Sequence, residues 1–385
     1  MILNPDCKFY KGDKPCRFNR LCEKCPHYEK SGKNILIIKF GAMGDALRTT
    51  PVLRALKKKD KNCRITWLTE KSCMALLSGI SEIDRLLEFN AENLVFLLAQ
   101  EFDLLLSIDK SPVAAGSAML IKAKKKMGFG ISKEGSVFPL NEDADYAFAL
   151  GLSDELKFRK NRKSYQEYTF ESLGMKFAGE EYALKITDED KRFAKRFLER
   201  KGVSEKELTI GLNTGAGDVF ATKKWLTENF VSLAEAIHSK TKAKILLLGG
   251  PAEAELNKKI LSSSKVPLVD ATCYSVSSKP SGKEIETIKQ FAAIVGECDA
   301  IVTSDTLAMH LAVAQKVPAL VLFGSTCPQE IDLYGRGEKL YASVDCSPCY
   351  RKECQNDGER KMICMKKITT EKVFDSLGKI VSLKK

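Results

Sequence analysis

Asn34-Ile-Leu-Ile-Ile-Lys-Phe40 leads directly into Gly41-Ala-Met-Gly-Asp45, and this stretch decides the fold. A short apolar run that ends in a glycine-containing loop is typical of a buried parallel strand and the turn at its carboxyl end. Residues 46–59, which follow, have the periodicity of an amphipathic helix. The stretch therefore predicts a strand, a loop and a helix, the repeating unit of doubly wound α/β sheets.

The alternation of apolar runs and helical patterns continues in two sets. In the first set, residues 64–69 and 102–109 are predicted to form buried strands. A similar set begins near residue 208, with helical patterns such as residues 228–240 between its strands. Alternation of this kind predicts parallel sheets covered by helices. The candidate strands of the second set are residues 208–213, 244–248, 267–270, 300–304 and 319–323.

Length and composition agree with two such domains. The chain has 385 residues, of which 44% are hydrophobic, so it can form more than one hydrophobic core. We predict a charged helix at residues 188–200 in the connection between the domains. The predicted organisation is a cysteine-rich segment at 1–33, a first α/β domain at 34–190, a second at 191–368, and a closing helix within 369–385.

The net charge of +12 comes from 62 Lys and Arg against 50 Asp and Glu, and it favours an anionic partner. The excess is spread along the chain, because residues 1–166 carry 29 basic and 20 acidic side chains and residues 191–385 carry 31 and 23. A nucleic-acid-binding arm would concentrate this charge, so no nucleic-acid partner is expected. The chain lacks a signal-peptide pattern and an apolar run of ~20 residues, which predicts a soluble cytoplasmic protein.

Four strand-to-helix loops could form a ligand site. The first contains Gly41, Gly44 and Asp45. Glycines let a ligand approach the backbone, and a following helix N-terminus favours anions. Asp45 could instead simply cap that helix. The three-glycine dinucleotide fingerprint and the phosphate-loop motif are both absent from the sequence, which argues against a nicotinamide oxidoreductase and a P-loop NTPase.

The second loop follows the strand at residues 208–213. It contains Thr214, Gly215 and Gly217, and Lys223 comes a few residues later. A small glycine-rich loop with a nearby cation suits a diphosphate. An exposed loop with an ordinary lysine is the alternative interpretation.

The third loop contains Gly249 and Gly250 and is followed by Glu253. A carboxylate here could accept hydrogen bonds from ribose hydroxyls, as acidic residues do in other α/β nucleotide sites. It could equally complement the dipole of the next helix.

The fourth loop places Asp305 and Thr306 at a strand end, with His310 about one turn into the next helix. Backbone amides of such a loop could hold a phosphate, and Thr306 and His310 could add donors. A lone helical histidine is otherwise more often structural.

These four loops, in this order, resemble glycosyltransferase family 9, the heptosyltransferases of lipopolysaccharide core synthesis. The family pattern includes Gly-Asp before a Thr-Thr/Leu-Pro helix, and here Gly44-Asp45 precedes Thr49-Thr50-Pro51. The resemblance covers about residue 34 to the end of the chain. The other matching motifs are the Gly-Ala-Gly loop with Lys-x-Trp, Gly-Gly-Pro-x-Glu, Asp-Thr-x-x-x-His, Phe323-Gly324, Tyr334-Gly335 and Cys346-Ser-Pro-Cys349.

The resemblance implies a GT-B architecture, with two facing Rossmann-like domains and the site in the cleft between them. It implies that the second domain binds the nucleotide sugar and the first binds the acceptor. By the same resemblance Asp45 is the catalytic base. The donor-binding residues that it implies are Thr214, Lys223, Glu253, Asp305, Thr306 and His310.

The reaction that the resemblance implies is inverting transfer of a sugar from a nucleoside diphosphate, with ADP-heptose the family's usual donor and no catalytic metal. The implied acceptor is an anionic glycan or glycolipid, which would allow peripheral association with the inner membrane. Two features depart from the family pattern or compete with it. Leu307 stands where the family usually has Gly, and Asp143 and Asp145 form a DxD-like pair that could bind a metal.

Eight of the thirteen cysteines fall in two clusters. Each cluster has four thiols and one Cys-x-x-Cys pair, which fits a closed structural zinc site. Disulfides, free thiols and an iron–sulfur cluster are the alternatives, although neither spacing matches a common iron–sulfur motif. The clusters are Cys7, Cys16, Cys22 and Cys25, and Cys346, Cys349, Cys354 and Cys364.

Two other functions remain open from the sequence. A zinc-bearing nucleic-acid-binding protein would explain the positive charge and the Cys-x-x-Cys pairs. A nucleotide-sugar epimerase of GT-B-like fold would explain the strand-end loops without an acceptor. The donor, the acceptor and the oligomeric state are not determined by the sequence.

Overall fold

The computed structural model describes residues 1–217, 220–274 and 284–381. The chain divides into two compact units. Unit 1 consists of Met1–Ala42, Thr49–Leu152 and Glu167–Ala183, and unit 2 of Met43–Arg48, Ser153–Gln166 and Leu184–Lys385. The division differs from the single boundary predicted near residue 190, because two short stretches of the first half group with unit 2.

A six-stranded sheet forms the centre of unit 1. Its strands are β1 (Asn34–Ile38), β2 (Arg64–Thr69), β3 (Arg85–Glu88), β4 (Glu101–Ser107), β5 (Lys122–Ile131) and β6 (Val137–Pro139). They lie in the order β3-β2-β1-β4-β5-β6. All neighbouring pairs are parallel except β5 with β6. That edge strand departs from the predicted parallel sheet, because a short turn joins it to β5 and such a turn can join only antiparallel strands.

The apolar run that decides the fold forms the centre of this sheet. Ile35 pairs with Ile65 of β2 and with Leu104 of β4, so β1 has a parallel neighbour on each side. Leu36 and Ile38 are fully buried and pack with Phe102 in one core. A strand enclosed on both faces has no solvent-facing side, which explains why its sequence is continuously apolar rather than alternating.

Seven α-helices lie within residues 43–172. They are α1 (Met43–Thr49), α2 (Pro51–Lys59), α3 (Lys71–Leu77), α4 (Ala91–Leu98), α5 (Pro112–Leu120), α6 (Asp145–Ala149) and α7 (Tyr165–Ser172). The helix predicted at residues 46–59 is therefore two helices. Pro51 has no backbone N–H and cannot continue α1, but it suits the first position of α2.

The lysine-rich stretch at residues 122–126, which the sequence analysis did not assign to a strand, begins strand β5. Lys122 and Lys125 are exposed, whereas Met127 and Phe129 farther along the strand are buried. The strand was missed because its first half has the composition of a surface loop, and only its pairing with β4 gives it a regular structure.

Unit 2 contains a second six-stranded sheet, and all its neighbouring strands are parallel. The strand order is β12-β11-β10-β7-β8-β9. Strands β8 and β9 therefore lie on one side of β7, and β10, β11 and β12 lie on the other. The strands are β7 (Thr209–Asn213), β8 (Lys244–Gly249), β9 (Val269–Thr272), β10 (Ala300–Ser304), β11 (Ala319–Phe323) and β12 (Gly337–Tyr341).

The helices of the second half cover this sheet. Phe230 and Leu233 of the long helix between β7 and β8 pack in one core with Val373 and Leu377 of the last helix, which therefore belongs to unit 2. Thr369 caps that helix by accepting a hydrogen bond from the Lys372 N–H. The helices are α8 (Asp188–Arg200), α9 (Thr227–Thr241), α10 (Ala254–Ser263), α11 (Ile288–Gly296), α12 (Leu307–Gln315), α13 (Ile363–Lys366) and α14 (Thr370–Ile380).

The last helix was predicted over residues 370–383, and residue 383 lies outside the described residues. Within the described ranges, no helix is both long enough and apolar enough to cross a membrane.

Candidate functional site

The order of the strands in unit 2 brings three predicted loops to one edge of the sheet. Strand β7 lies between β10 and β8, and all three run in the same direction. The loops that follow them at residues 214–217, 250–253 and 305–306 therefore leave neighbouring carboxyl ends. In open α/β sheets, ligands bind outside the carboxyl ends of strands where the order reverses.

A lysine–aspartate pair joins two of these loops. The Lys223 Nζ lies 3.1 Å from the Asp305 Oδ2 and donates to the Asp305 carbonyl oxygen at 3.0 Å. Burial alone would raise the pKa of Asp305, but Lys223, His310 and Arg48 together hold it below its usual value. The carboxylate is thus kept ionised, and the ammonium group is fixed at the edge of the sheet.

His310 lies on α12, in the interior of this site, with only 4% of its surface exposed. Burial and the positive charge of Arg48 lower its pKa to about 4, although Asp305 and Asp45 act in the opposite direction. The imidazole is therefore neutral near pH 7. A side chain on Gly44 would place its Cβ 2.6 Å from the His310 Cδ2, so the close approach of α1 to this ring requires glycine.

The first turn of α1 supplies Asp45, and its last turn supplies Arg48. The Arg48 Nη2 lies 2.8 Å from the Asp45 Oδ1. The Arg48 guanidinium also stacks 3.7 Å from the centroid of the Tyr165 ring, and the Gln166 side chain donates to the Arg48 carbonyl oxygen at 3.4 Å. Asp45 keeps 39% of its side chain exposed while its arginine partner is mostly buried. The carboxylate is both oriented and accessible.

A buried hydrogen-bond network supports the ends of β7 and β10. The Asn213 Nδ2 lies 3.1 Å from the Thr303 Oγ1 and 3.2 Å from the Thr306 Oγ1. The Ser304 hydroxyl donates to the Lys223 carbonyl oxygen at 2.7 Å. These contacts fix the backbone around Thr306, at the N-terminus of α12, where free N–H groups favour an anion.

Glu253 is buried between the two glycine-rich loops. One of its carboxylate oxygens accepts the Gly217 N–H at 3.1 Å, and the other accepts the Gly250 N–H at 2.9 Å. A Cβ on Gly215 would lie 2.0 Å from the Glu253 side chain, and one on Gly249 would lie 2.8 Å from it. The glycines predicted to admit a ligand therefore also admit this carboxylate, which ties the loops after β7 and β8 together.

The family of the chain follows from a comparison of its sequence with family models. Residues 96–359, more than half of the chain, match the model described as glycosyltransferase family 9 (heptosyltransferase). The chain belongs to glycosyltransferase family 9. The predicted resemblance is confirmed, and the protein is a glycosyltransferase.

Relatives and solved structures agree with the family assignment. The lipopolysaccharide core heptosyltransferase OpsX of Haemophilus influenzae is 25% identical over 77% of this chain and 81% of its own length. A family 9 structure from Veillonella parvula superimposes with a TM-score of 0.68 at 18% identity, covering 91% of this chain and 98% of that one. The structure of E. coli heptosyltransferase WaaC with ADP-2-deoxy-2-fluoro heptose superimposes with a TM-score of 0.55 at 15% identity, covering 90% of this chain and 100% of that one. These structures confirm the GT-B fold class.

The structure brings most of the predicted family 9 site residues together in unit 2. Asp45, Lys223, Asp305, Thr306 and His310 form one group, and Glu253 lies beside it between the glycine loops, while Gly41 belongs to unit 1. Thr214 is buried, and its hydroxyl donates to the Asn257 side chain at 2.5 Å, within the wall of the site. The donor-binding role of Thr214 stays a prediction.

Arg48, Tyr165 and Asn213 are site residues that the sequence analysis missed. Arg48 carried a signal, since it follows Asp45 by three residues and such pairs meet on one face of a helix. Tyr165 carried none, because 117 positions separate it from Arg48 and only the tertiary fold brings the two together. Asn213 is the last residue of a predicted strand, and a polar residue at that position was interpreted only as the end of the strand.

The cysteine clusters adjoin cavities, but the structure does not support the zinc prediction. All thirteen cysteines are free thiols, so the disulfide alternative is not seen. Within the described ranges, no three His, Cys, Asp or Glu side chains are grouped so that they could hold a metal ion. The four thiols of the second cluster line a cavity of about 230 Å³: Cys346, Cys349, Cys354 and Cys364.

The second cysteine cluster is connected to the segment that carries Lys223. The hydroxyl of Thr222, next to Lys223, donates to the Arg351 carbonyl oxygen within the cysteine-bearing loop, and it lies 2.9 Å from the Ser325 hydroxyl, which can donate to it. The Arg159 guanidinium bonds two further carbonyl oxygens of that loop. The loop thus packs behind the lysine of the site.

Proposed function

We propose that this family 9 enzyme transfers a heptose from ADP-heptose to a lipopolysaccharide-core acceptor, with inversion at the anomeric carbon. The observation that carries the proposal is the grouping of Asp45 and Arg48 with His310, Asp305 and Lys223 in one unit. This grouping places an accessible carboxylate near cationic and backbone groups suited to a diphosphate. The substrates named for the relative OpsX and for the structure of WaaC support the choice of acceptor and donor.

Asp45 would act as the general base. Its carboxylate accepts the proton of the acceptor hydroxyl as that oxygen attacks the anomeric carbon. Arg48 binds the Asp45 Oδ1 and orients the carboxylate, and the Asp45 side chain is 39% exposed and so accessible to the acceptor. Asp305, the other acid of the group, is paired with Lys223 and is therefore not free to form a glycosyl–enzyme bond. One base and direct attack give inversion.

The diphosphate leaving group gains negative charge as the glycosidic bond breaks. Lys223, the amides of the glycine loop at residues 215–217 and the N-terminus of α12 would stabilise that charge. These groups are already fixed by Asp305 and the network around Asn213, so little reorganisation is needed during the reaction. Neutral His310 can donate or accept one further hydrogen bond near the sugar. Glu253 would accept hydrogen bonds from the ribose with its remaining lone pairs.

Substitution of the base tests the proposal. Asp45→Asn should bind ADP-heptose normally, because the amide keeps the shape of the side chain, while transfer to a core oligosaccharide falls roughly 10²-fold or more. Donor affinity would be measured by calorimetry and transfer by product analysis. Near-normal transfer by this variant would exclude Asp45 as the base.

Asp145→Asn is the matched control, since it makes the same chemical change in the DxD-like pair of unit 1. It should retain transfer. If Asp145→Asn abolishes transfer while Asp45→Asn does not, a metal-dependent site at the DxD-like pair would replace the proposed one. Turnover of the donor without any acceptor would instead favour an epimerase.

A further inference from the structure

The cysteine-rich segment, residues 1–33, has little to keep it folded except its thiols. All of it is described, and it contains no helix and no strand beyond a single antiparallel bridge between Cys7 and Lys30. Cys7 is its one buried residue. A segment this short cannot form a hydrophobic core of its own, and such segments usually need a disulfide or a metal. Its four cysteines are free thiols.

The ends of the segment are nevertheless held together. The Lys8 N–H donates to the Glu29 carbonyl oxygen at 2.7 Å, and the Ser31 N–H donates to that of Asp6 at 2.8 Å. The Tyr28 hydroxyl donates to the Asp6 carboxylate at 2.7 Å. These bonds close the intervening residues into a loop, so the residues inside the loop face a common space.

That space is a cavity of about 410 Å³ lined by all four thiols. Each cysteine starts a turn, because its carbonyl oxygen accepts the N–H of the residue three positions later, which points the chain around the cavity. These bonds are Tyr10 to Cys7 at 3.0 Å, Asn19 to Cys16 at 2.9 Å, Cys25 to Cys22 at 3.1 Å and Tyr28 to Cys25 at 3.3 Å. Four cysteines from four turns therefore line one cavity.

We propose that the thiols of Cys7, Cys16, Cys22 and Cys25 bind a polynuclear iron–sulfur cluster of the [4Fe–4S] type, which holds residues 1–33 in their fold. A single zinc ion lies about 2.3 Å from each sulfur, so its four ligands must crowd within about 4 Å of one another. A cluster places irons and inorganic sulfides between the thiolates, and its ligands surround a larger space. Within residues 1–33, all of which the structure describes, no three Cys, His, Asp or Glu side chains are grouped so that they could hold a single metal ion, whereas the four cysteines line one cavity of about 410 Å³, which fits the second arrangement.

The charges around the cavity suit an anionic cluster. Four thiolates bound to such a cluster leave a net negative charge, and Lys11, Lys14 and Arg20 line the same cavity. Arg17 is held nearby, with its guanidinium 4.0 Å from the centre of the Phe9 ring. Residues 1–33 carry eight basic side chains against four acidic ones. A cluster with a structural role needs no redox partner.

Metal and sulfide analysis of the full-length chain, purified without oxygen, tests the proposal. We compare the unchanged chain with Cys16→Ser/Cys22→Ser and with Cys63→Ser, a buried thiol of unit 1 that does not line the cavity. The double variant should contain about four fewer irons and about four fewer acid-labile sulfides per chain. Cys63→Ser should match the unchanged chain. The second cysteine cluster is the same in all three proteins, so the difference reports on the first alone.

Two results would overturn the proposal. One is an unchanged chain that contains zinc and no acid-labile sulfide, which decides against it whether or not the variants fold. The other is a double variant that keeps its full iron and sulfide content. The ADP-induced rise in melting temperature, a property of unit 2, checks that the variant is folded. In a folded double variant, limited proteolysis should cut within residues 1–33 faster than in Cys63→Ser.

Discussion

In the proposed mechanism the Asp45 carboxylate needs a fixed direction to accept a proton from a bound acceptor, and the ion pair with Arg48 would supply it. Arg48→Met keeps much of the aliphatic volume but removes the 2.8 Å ion pair. We expect kcat to fall by roughly tenfold to a hundredfold, as small misplacements of reacting groups do, while the donor KM changes little.

The matched control for Arg48 is Arg54→Met on α2, since Arg54 is exposed and forms a longer ion pair of 3.9 Å with Glu82. It should keep kcat and the donor KM unchanged. An equal loss in both variants would mean that the effect of Arg48→Met comes from general destabilisation. Tyr165→Phe, which keeps the ring that stacks on Arg48, should also retain activity.

His310 makes the stability of unit 2 depend on pH. Its pKa is about 4 in the folded chain and about 6.5 when unfolded, so between these values the unfolded chain takes up a proton that the folded chain does not. Stability is therefore lost as the pH falls from about 6.5 towards 4, by about 2 kcal/mol at pH 5. The difference should appear as a lower urea midpoint for unit 2 at pH 5 than at pH 7.5.

His310→Gln isolates this effect, because an amide does not titrate in the same range. The variant should show a smaller difference between the two urea midpoints than the unchanged chain. If both proteins lose the same stability between pH 7.5 and 5, other groups dominate. Asp305 is not the cause in this window, since its lowered pKa moves its titration to lower pH.

The residues of the site were predictable where a strand-end motif marked them. Asp45, Lys223 and Asp305 follow predicted strands, and the topology of parallel sheets brings such residues to one edge. The sequence did not predict that Asp305 and Lys223 bind each other, or that His310 is neutral. Both properties depend on burial and on charges such as Arg48, which come from distant parts of the chain.

The loops after β7 and β8 are joined by Glu253, which gives their glycines unequal importance. A methyl group on Gly215 would overlap the Glu253 side chain, and both carboxylate oxygens are already bonded to backbone N–H groups. Gly215→Ala must therefore displace a buried, bonded carboxylate. Loss of one charged hydrogen bond costs about 1.5–3 kcal/mol, so the ADP dissociation constant should rise at least tenfold.

Gly217→Ala is the comparison on the same loop. Gly217 has a φ of +67°, and among the described residues, its chain neighbours aside, no atom lies within 4 Å of the position that an alanine methyl group would occupy. The expected cost is therefore that of the left-handed backbone, about 1–2 kcal/mol. Calorimetry with ADP should give a clearly weaker affinity for Gly215→Ala than for Gly217→Ala. The reverse order would mean that Glu253 is not part of the donor site.

Elements with a continuous apolar sequence were the most predictable. The strands at residues 64–69, 300–304 and 319–323 have their predicted bounds. The charged helix at residues 188–200 also has its predicted bounds, because a capping box formed by Thr187 and Asp190 marks its start. The elements missed were those whose composition does not show their environment, such as the lysine-rich β5 and the edge strand β6. An edge or exposed strand has few buried side chains. Its pairing with a neighbouring strand, rather than its own sequence, therefore determines whether it forms a strand.

At the scale of the whole molecule, two parallel-sheet units were predictable from the repeated rhythm of strands and helices. The stretches of the chain that make up each unit were not predictable. Residues 43–48 and 153–166 group with unit 2, although both precede the strands of its sheet. Such exchange of short segments depends on tertiary contacts of individual side chains, for example Arg48 with Tyr165, and leaves no periodic pattern.

The assignment of α1 to unit 2 gives the last prediction. ADP bound at the loops after β7, β8 and β10 should slow amide hydrogen exchange in those loops and also in residues 43–48, although β7 starts 161 residues beyond Arg48. Strands β2 and β3 of unit 1 should exchange unchanged. Lys223→Met should remove the ADP-dependent protection throughout, because binding itself is weakened. If ADP protects only unit 1, or protects the loops but not residues 43–48, then Asp45 is not part of the donor site.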